Sequence, residues 1–296
     1  MESTLIGNAS WQRVRTVLGL FKLRIGFAIM ITALAGYAVT PGAAIGAGQL
    51  TVLALAVLIS SASAGAFNQY VESDLDALMQ RTRGRAFVTG ALPRTPAWLL
   101  LIAALLAASV LAAWAATNLL AALYVFLGAF FYAVVYTVWL KRRSWLNIVV
   151  GGLAGSFSVL AGAAAVNPHI SALPLLLAIV LFLWTPPHFW SLAIANQEDY
   201  ARAGVPMLPV VVGAERAAQI VFLSALALVL MSLLPVFFGA GAIYFFGALA
   251  GGGNFLFKAW KLARAPSRST AMASFHASLI QLCLLLIAAM IDAAMH

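Results

Sequence analysis

The sequence predicts an all-α integral membrane protein, a single bundle of about nine transmembrane helices, and three observations carry that expectation. Hydrophobic residues make up 64% of the 296 and charged residues only 8%, with a mean hydropathy of +1.01. A water-soluble core of this size has no room for so much apolar side chain. Apolar runs of about twenty residues, the length that crosses a bilayer as helix, recur from one end of the chain to the other. The charges are also sorted, with basic residues gathered in alternate connections.

Taken in order, the runs fall at roughly 22–40, 47–70, 96–116, 118–139, 145–165, 171–196, 217–238, 241–260 and 271–292. Each is read as helix because backbone groups in lipid must be satisfied within their own segment. The runs are continuously apolar, whereas barrel strands would alternate. The first follows a basic N-terminal stretch and is long enough to stay as an anchor, unlike a cleavable signal. No linker, low-complexity tract or soluble domain interrupts the series, so residues 1–296 are read as one polytopic membrane domain.

With the N-terminus inside, the inner segments hold Arg13, Arg15, Lys22 and Arg24; Arg81, Arg83, Arg85 and Arg94; and Lys141, Arg142 and Arg143. Arg202 and Arg216 follow, then Lys258, Lys261, Arg264 and Arg268, which accounts for all 17 basic residues. The net charge of +9 and pI of about 10.2 therefore report orientation, not a nucleic-acid partner. Cys283 is the only cysteine, which excludes an internal disulfide, and its place in the last helix predicts a small buried filler. Outer connections are short, near Thr117-Asn118 and Gly239-Ala240-Gly241, while two inner loops at roughly 71–95 and 197–216 are long. Both long loops carry acids, arginines and a tail with Gly and Pro, and they lie four helices apart. That spacing hints at a duplicated four-helix unit plus a final helix.

The first long loop opens with "NQYVESDLDALMQRTRGR", Asn68 to Arg85, three carboxylates and three arginines in a chain otherwise almost bare of charge. On a helix, Asn68, Glu72 and Asp76 fall within about 80° of one another, with Asp74 nearly opposite. The second loop opens with "NQEDYARAGVPMLP", where Glu198 and Asp199 complete five of the protein's eight acids. Acids alone would repel an anion, and arginines alone would need no acids. Together they suit a diphosphate bound through Mg²⁺, the carboxylates holding the cation and the arginines the phosphate oxygens. Solvated helix ends pairing with nearby arginines are the plainer alternative.

"LWTPPHFWSLAIA" is the second unusual stretch. Pro186-Pro187 is expected to kink or interrupt the sixth helix and free backbone carbonyls. His188, between Trp184, Phe189 and Trp190, must find a partner inside the membrane. Haem iron, a phosphate or a water are candidates, and a structural bond to the freed carbonyls is the bland one. The aromatic faces also suit a cationic intermediate. The run Gly251 to Gly253 in the eighth helix is expected to serve close packing.

These residues resemble the UbiA intramembrane prenyltransferase superfamily, and within it the haem-directed branch, along almost the full chain. The likeness rests on Asn68, Glu72, Asp76, Met79, Arg81-Thr82 and Arg85, and on "YTVWLKRRSWLNIVVGGLAGS" from Tyr136 to Ser156. It is most specific in "WTPPHFWSLAIANQEDYARAGVPMLPVV", and Phe275, Ser278 and Asp292 of the last helix also fit. Leu23, Phe157-Ser158 and Gln197 depart from the family pattern. Position 198 varies in the family, which makes Asp199 the firmer acid of the second pair.

The resemblance implies transfer of a farnesyl group from farnesyl diphosphate to the 2-vinyl group of haem b, with addition of water and release of diphosphate. It implies catalytic roles for Asn68, Glu72, Asp76, Asp199 and His188, and Mg²⁺ ligation by Glu72, Asp76, Glu198 and Asp199. Substrate contacts would come from Lys22, Arg24, Arg81, Arg85, Lys141, Tyr200 and Arg202. It further implies residence in the cell inner membrane, with the N-terminus and both active-site loops cytoplasmic and the C-terminus outside. A haem A synthase is the candidate hand-over partner. Two other readings stand beside it: a UbiA-type transferase acting on an aromatic quinone precursor, and a secondary transporter or haem carrier. A transporter would place its ionisable residues near the bilayer midplane, whereas both acid clusters here sit at inner helix ends.

Overall fold

The computed structural model describes residues 14–295, and Arg13 lies outside them. Helix α1 (Val14–Leu20) meets α2 (Leu23–Ala38) at a bend of 48°. The long helices that follow are α3 (Ala47–Val71), α6 (Pro96–Ala116) and α7 (Leu119–Phe130), the last continued by a π-helical segment, Phe131–Leu140. Next come the short α8 (Asn147–Gly151), then α9 (Leu153–Val166), α10 (Ala172–Ala195) and α13 (Ala214–Leu233), which tightens into a 3₁₀ turn at Leu234–Phe238. Helices α14 (Ala242–Arg264) and α15 (Arg268–Met295) complete the series. The first long loop folds into α4 (Ser73–Leu78) and α5 (Ala86–Thr89), and the second into α11 (Gln197–Arg202) and α12 (Leu208–Val212).

Among the described residues, seven helices are long and apolar enough to cross a membrane, eight if the bent pair α1–α2 counts as one span. Helix α14 is as long as these, but its four glycines, Asn254 and Lys258 dilute its apolar content. Contacts close a ring: α2 against α3 and α9, α9 against α10, α10 against α13, then α13, α14 and α15 in sequence, with α15 returning to α2. Large apolar side chains such as Leu100, Phe237 and Phe246 face outward. Hydrocarbon is a better neighbour for them than water, so the bundle needs lipid around it.

Small residues set the closest approaches. A Cβ added to Gly162 of α9 would stand 1.8 Å from the carbonyl oxygen of Ala33, and one added to Gly36 of α2 would stand 2.1 Å from that of Val159. Helices α2 and α9 therefore meet backbone to backbone, as small residues allow in membranes. Gly251 packs on the backbone of Gln281 and Gly252 on the side chain of Val229, so these two of the three glycines serve packing in an unbroken helix.

Four expectations are corrected. Pro186 and Pro187 do not interrupt α10, which runs unbroken from Ala172 to Ala195. Their missing N–H groups cost two ladder bonds, those to the carbonyls of Phe182 and Leu183, and the helix carries on through the loss. Cys283 is exposed on the outer face of α15, because the inner face is taken by Ser274, Ser278, Gln281 and Leu285. The first span begins earlier than residue 22 and is broken there, with Lys22 at φ 47°, the left-handed region that non-glycine residues rarely adopt. The face shared by Asn68, Glu72 and Asp76 does not lie on one regular helix: α3 ends at Val71 and α4 begins at Ser73. The i to i+4 bonds from Glu72 N to Asn68 O (3.0 Å) and from Asp76 N to Glu72 O (2.8 Å) nonetheless carry the register across the joint.

Gly162→Ala is expected to force α2 and α9 apart and cost about 1–3 kcal/mol, the usual penalty for overfilling a packed site. Gly253→Ala, whose new Cβ meets nothing within 4 Å, is the matched control. Thermal unfolding of both in one detergent checks the difference, and equal melting temperatures would contradict the close-approach argument.

Candidate active site

A cavity of about 960 Å³ opens within the bundle, lined mainly by α2, α3, α7 with its π continuation, α9, α10 and α15. One end is polar. Asn68, Glu72 and Asp76 line it together with Lys22, Arg24, Arg81, Arg85, Lys141 and Tyr200. The rest is largely apolar and aromatic, with Val57, Val125, Leu181, Trp184, His188, Phe275 and Leu282.

Every carboxylate at the polar end has a cation on it. Lys141 Nζ donates to Glu72 Oε2 in a buried ion pair, and Arg85 Nη1 donates to Asp76 Oδ2 at 2.6 Å. Asn68 is held from both sides: Lys22 Nζ donates to its Oδ1 at 2.7 Å, and its Nδ2 donates to Thr137 Oγ1 at 3.0 Å. Lys22 also reaches the Tyr132 hydroxyl at 3.1 Å. The left-handed turn at Lys22 is what lets a residue between two helices aim its ammonium into the cavity. Asp74, on the opposite side as the spacing requires, makes a bidentate pair with Arg142 at 2.8 Å in the exposed loop.

Burial pulls the Lys141 ammonium below the usual lysine range, with the charge of Glu72 acting against it. Burial likewise pushes the Tyr200 phenol up, opposed by Arg81.

The π segment gives the site its second wall, and sequence reasoning missed it. Tyr132 and Tyr136 stack with ring centroids 5.7 Å apart, and Lys141 Nζ lies 5.7 Å over the Tyr136 ring. Nine residues of α-helix make about two and a half turns, which would put Lys141 on the side opposite Tyr132. Winding with i to i+5 bonds, as in Lys141 N to Tyr136 O at 2.9 Å, returns all three residues to one face. The aromatic, threonine-containing run "FFYAVVYTVWLK" was a visible signal, but a 3.6-residue period scatters its polar atoms.

His188 sits at the apolar end, sandwiched between Trp184 (4.1 Å, 20°) and Phe275 (4.5 Å, 26°). Its Nδ1 is 2.7 Å from Ser278 Oγ, so its partner is a hydroxyl on α15, not a carbonyl freed by the prolines.

The second acidic pair is not brought to the cavity. Glu198 is exposed, Asp199 turns to Arg202 at 3.6 Å, and of that loop only Tyr200 lines the wall. Among the described residues no three acids, histidines or cysteines come close enough to hold a metal ion. The first cluster does fit one: Glu72 Oε1 is buried without any hydrogen-bond partner, an open oxygen ligand beside Asp76. The site as a whole offers carboxylate oxygens, six cationic side chains (Arg15 being the sixth) and an apolar annex in one space. That combination suits an amphiphile with a polyanionic head.

Comparison with known proteins gives the same direction. The model of the UbiA prenyltransferase family matches residues 29–284. The chain is 54% identical over 279 residues to "Protoheme IX farnesyltransferase 2" of Paramagnetospirillum magneticum, covering 94% of this chain and 97% of that one. In fold it is similar to a digeranylgeranylglyceryl phosphate synthase (TM-score 0.75, 17% identity, 96% of this chain and all of the other). A UbiA homologue from Archaeoglobus fulgidus, solved bound to GPP and Mg²⁺, gives a TM-score of 0.68 at 17% identity over 93% and 99% of the two chains. Extent of match and identity together establish that this chain belongs to the UbiA prenyltransferase family.

Proposed function

We propose that the protein is a protohaem IX farnesyltransferase, attaching the farnesyl group of farnesyl diphosphate to the 2-vinyl group of haem b and adding water to give haem O and diphosphate. The observation that carries this reading is the continuity of one cavity from the carboxylate and cation cluster to the aromatic chamber around His188. The close relative named as a farnesyltransferase supports it.

The polar end takes the diphosphate. Arg81, Arg85, Lys22 and Lys141 supply donors for its oxygens, and Arg24 adds charge at the rim. Mg²⁺, held by Glu72 and Asp76, would offset the charge that grows on the leaving group. As the bond from farnesyl C1 to oxygen breaks, these cations stabilise the departing diphosphate. The allylic carbon then bonds to the vinyl terminus, with the π faces of Tyr132 and Tyr136 beside the mouth and few competing water sites in the apolar chamber. Water adds to the remaining carbon and loses a proton. Asp199 and Arg202 join the site only if the second loop moves, and closure of both loops over loaded substrate is part of this reading.

The long helical stretches are read as nine crossings, with the basic connections, the N-terminus and the active-site loops on the cytoplasmic side of the inner membrane and the C-terminus opposite. Supply of a haem A synthase with product belongs to the same reading.

Mass spectrometry of purified protein incubated with haem b, farnesyl diphosphate and Mg²⁺ should detect haem O. Asp76→Asn should lower the rate by about 10²–10³, the cost of losing one charged contact to a transition state. Asp74→Asn, in the exposed pair, should stay near wild type, as surface ion pairs contribute little. Prenylation of an aromatic quinone precursor but not of haem would transfer the assignment to that branch. Lys141→Met leaves Glu72 charged and unpaired, and its stability should fall by about 3 kcal/mol in a denaturation series. Adding Glu72→Gln should recover most of that loss.

A further inference from the structure

We infer that Ser278 is a positioning residue that fixes the His188 ring as its Nδ1–H tautomer and so presents an Nε2 lone pair to the chamber as a ligand for porphyrin iron. This rests on haem being the acceptor substrate.

The hydroxyl of Ser278 has one proton and two neighbours that compete for it. Its Oγ lies 2.7 Å from the backbone carbonyl oxygen of Phe275 and 2.7 Å from His188 Nδ1. A carbonyl can only accept, so the proton belongs on the Oγ–O contact with Phe275. The contact with His188 is then satisfied only if Nδ1 carries a proton and donates it to Oγ. A neutral imidazole with Nδ1 protonated has its lone pair on Nε2. The opposite arrangement would leave two oxygen atoms 2.7 Å apart with no proton between them.

Three further facts give that lone pair a direction. Nε2 makes no hydrogen bond to any described residue, is not among the sealed polar atoms, and belongs to a residue that lines the cavity. The ring cannot turn away, because Trp184 and Phe275 stack on both faces and Phe189 meets its edge at 4.8 Å. The backbone behind Ser278 is itself held, since Trp184 Nε1 donates to the Ser278 carbonyl at 2.9 Å. A locked imidazole whose second nitrogen donates to an acceptor is the usual form of a metal-ligating histidine, the outer bond raising the basicity of the ligating nitrogen. Iron is the atom of haem b that takes a nitrogen lone pair.

Resonance Raman spectra of full-length protein with ferrous haem b, together with binding titrations of haem b and metal-free protoporphyrin IX, test the assignment. Wild type should show an iron–histidine stretching band. His188→Ala should lose it and regain a band on addition of imidazole. Ser278→Ala, which removes the hydroxyl but keeps the backbone bond to Trp184, should retain ligation with the band at lower frequency and haem binding weaker by about tenfold. Ser278→Thr should return both toward wild type, and metal-free porphyrin should bind all four proteins alike. A Ser278→Ala spectrum and affinity equal to wild type would overturn the role of Ser278, and a band that survives His188→Ala would overturn ligation by Nε2. Wild type binding both porphyrins without an iron–histidine band sinks this inference alone, whereas wild type binding neither sinks the haem assignment beneath it.

Discussion

The mouth of the chamber depends on one buried contact, Lys141 Nζ to Glu72 Oε2. Neither charge is tolerable alone at these burials, so each requires the other. Their meeting ties the joint between α3 and α4 to the last turn of the π segment. Asn68 is fixed one turn before Glu72, and Asp76 one turn after it. On the facing wall, Tyr132, Tyr136 and Thr137 are fixed by the same winding that brings Lys141 round. An α-helical segment in place of the π turns would aim Lys141 away and leave the Glu72 carboxylate without a cation. The unusual helix and the buried pair therefore explain each other.

Below the mouth, a different constraint acts. The chamber exists because the helices around it approach closely elsewhere. Gly36 and Gly162 bring α2 and α9 into backbone contact, and side-chain bonds such as the Ser156 hydroxyl to the Ala178 carbonyl (2.8 Å) and the Trp184 indole N–H to the Ser278 carbonyl (2.9 Å) join neighbouring walls. In lipid, where burying apolar surface gains nothing between helices, such packing and polar bonds are what hold a cavity open. Ser274 and Ser191 form a further bond at 2.9 Å one turn from Ser278, so α10 and α15 are pinned on either side of His188.

Much of this was legible in the residues. Length and hydropathy announced the spans, and the acid–arginine run from Asn68 to Arg85 announced the mouth, because charge in so apolar a chain is costly wherever it serves nothing. What was hidden has physical reasons. The π segment is invisible to a 3.6-residue period, and the bend at Lys22 involves a lysine where a glycine would have signalled a left-handed turn. Pro186-Pro187 read as a break, but two lost ladder bonds are bearable when neighbouring helices hold the segment on several sides. Burial of His188 was legible, but its partner was not, since Ser278 lies ninety residues away and no local pattern connects them.

The charge arrangement at the mouth also explains how cations and acids are tolerated together at these burials. Arg85 on Asp76 and Lys141 on Glu72 neutralise the acids internally. The same cations are the donors a diphosphate needs. On the proposed reading, loading would exchange partners, the ammonium and guanidinium groups turning from carboxylate to phosphate oxygens and leaving the carboxylates to hold Mg²⁺. Glu72 is already half released, with Oε2 on Lys141 and Oε1 on nothing. Asp199 pairs more loosely, at 3.6 Å with a half-exposed Arg202, which leaves the second loop the weaker of the two restraints. Two buried pairs hold Glu72 and Asp76 of the first loop, whereas Asp199 of the second has a solvent-screened pair beside the buried Tyr200.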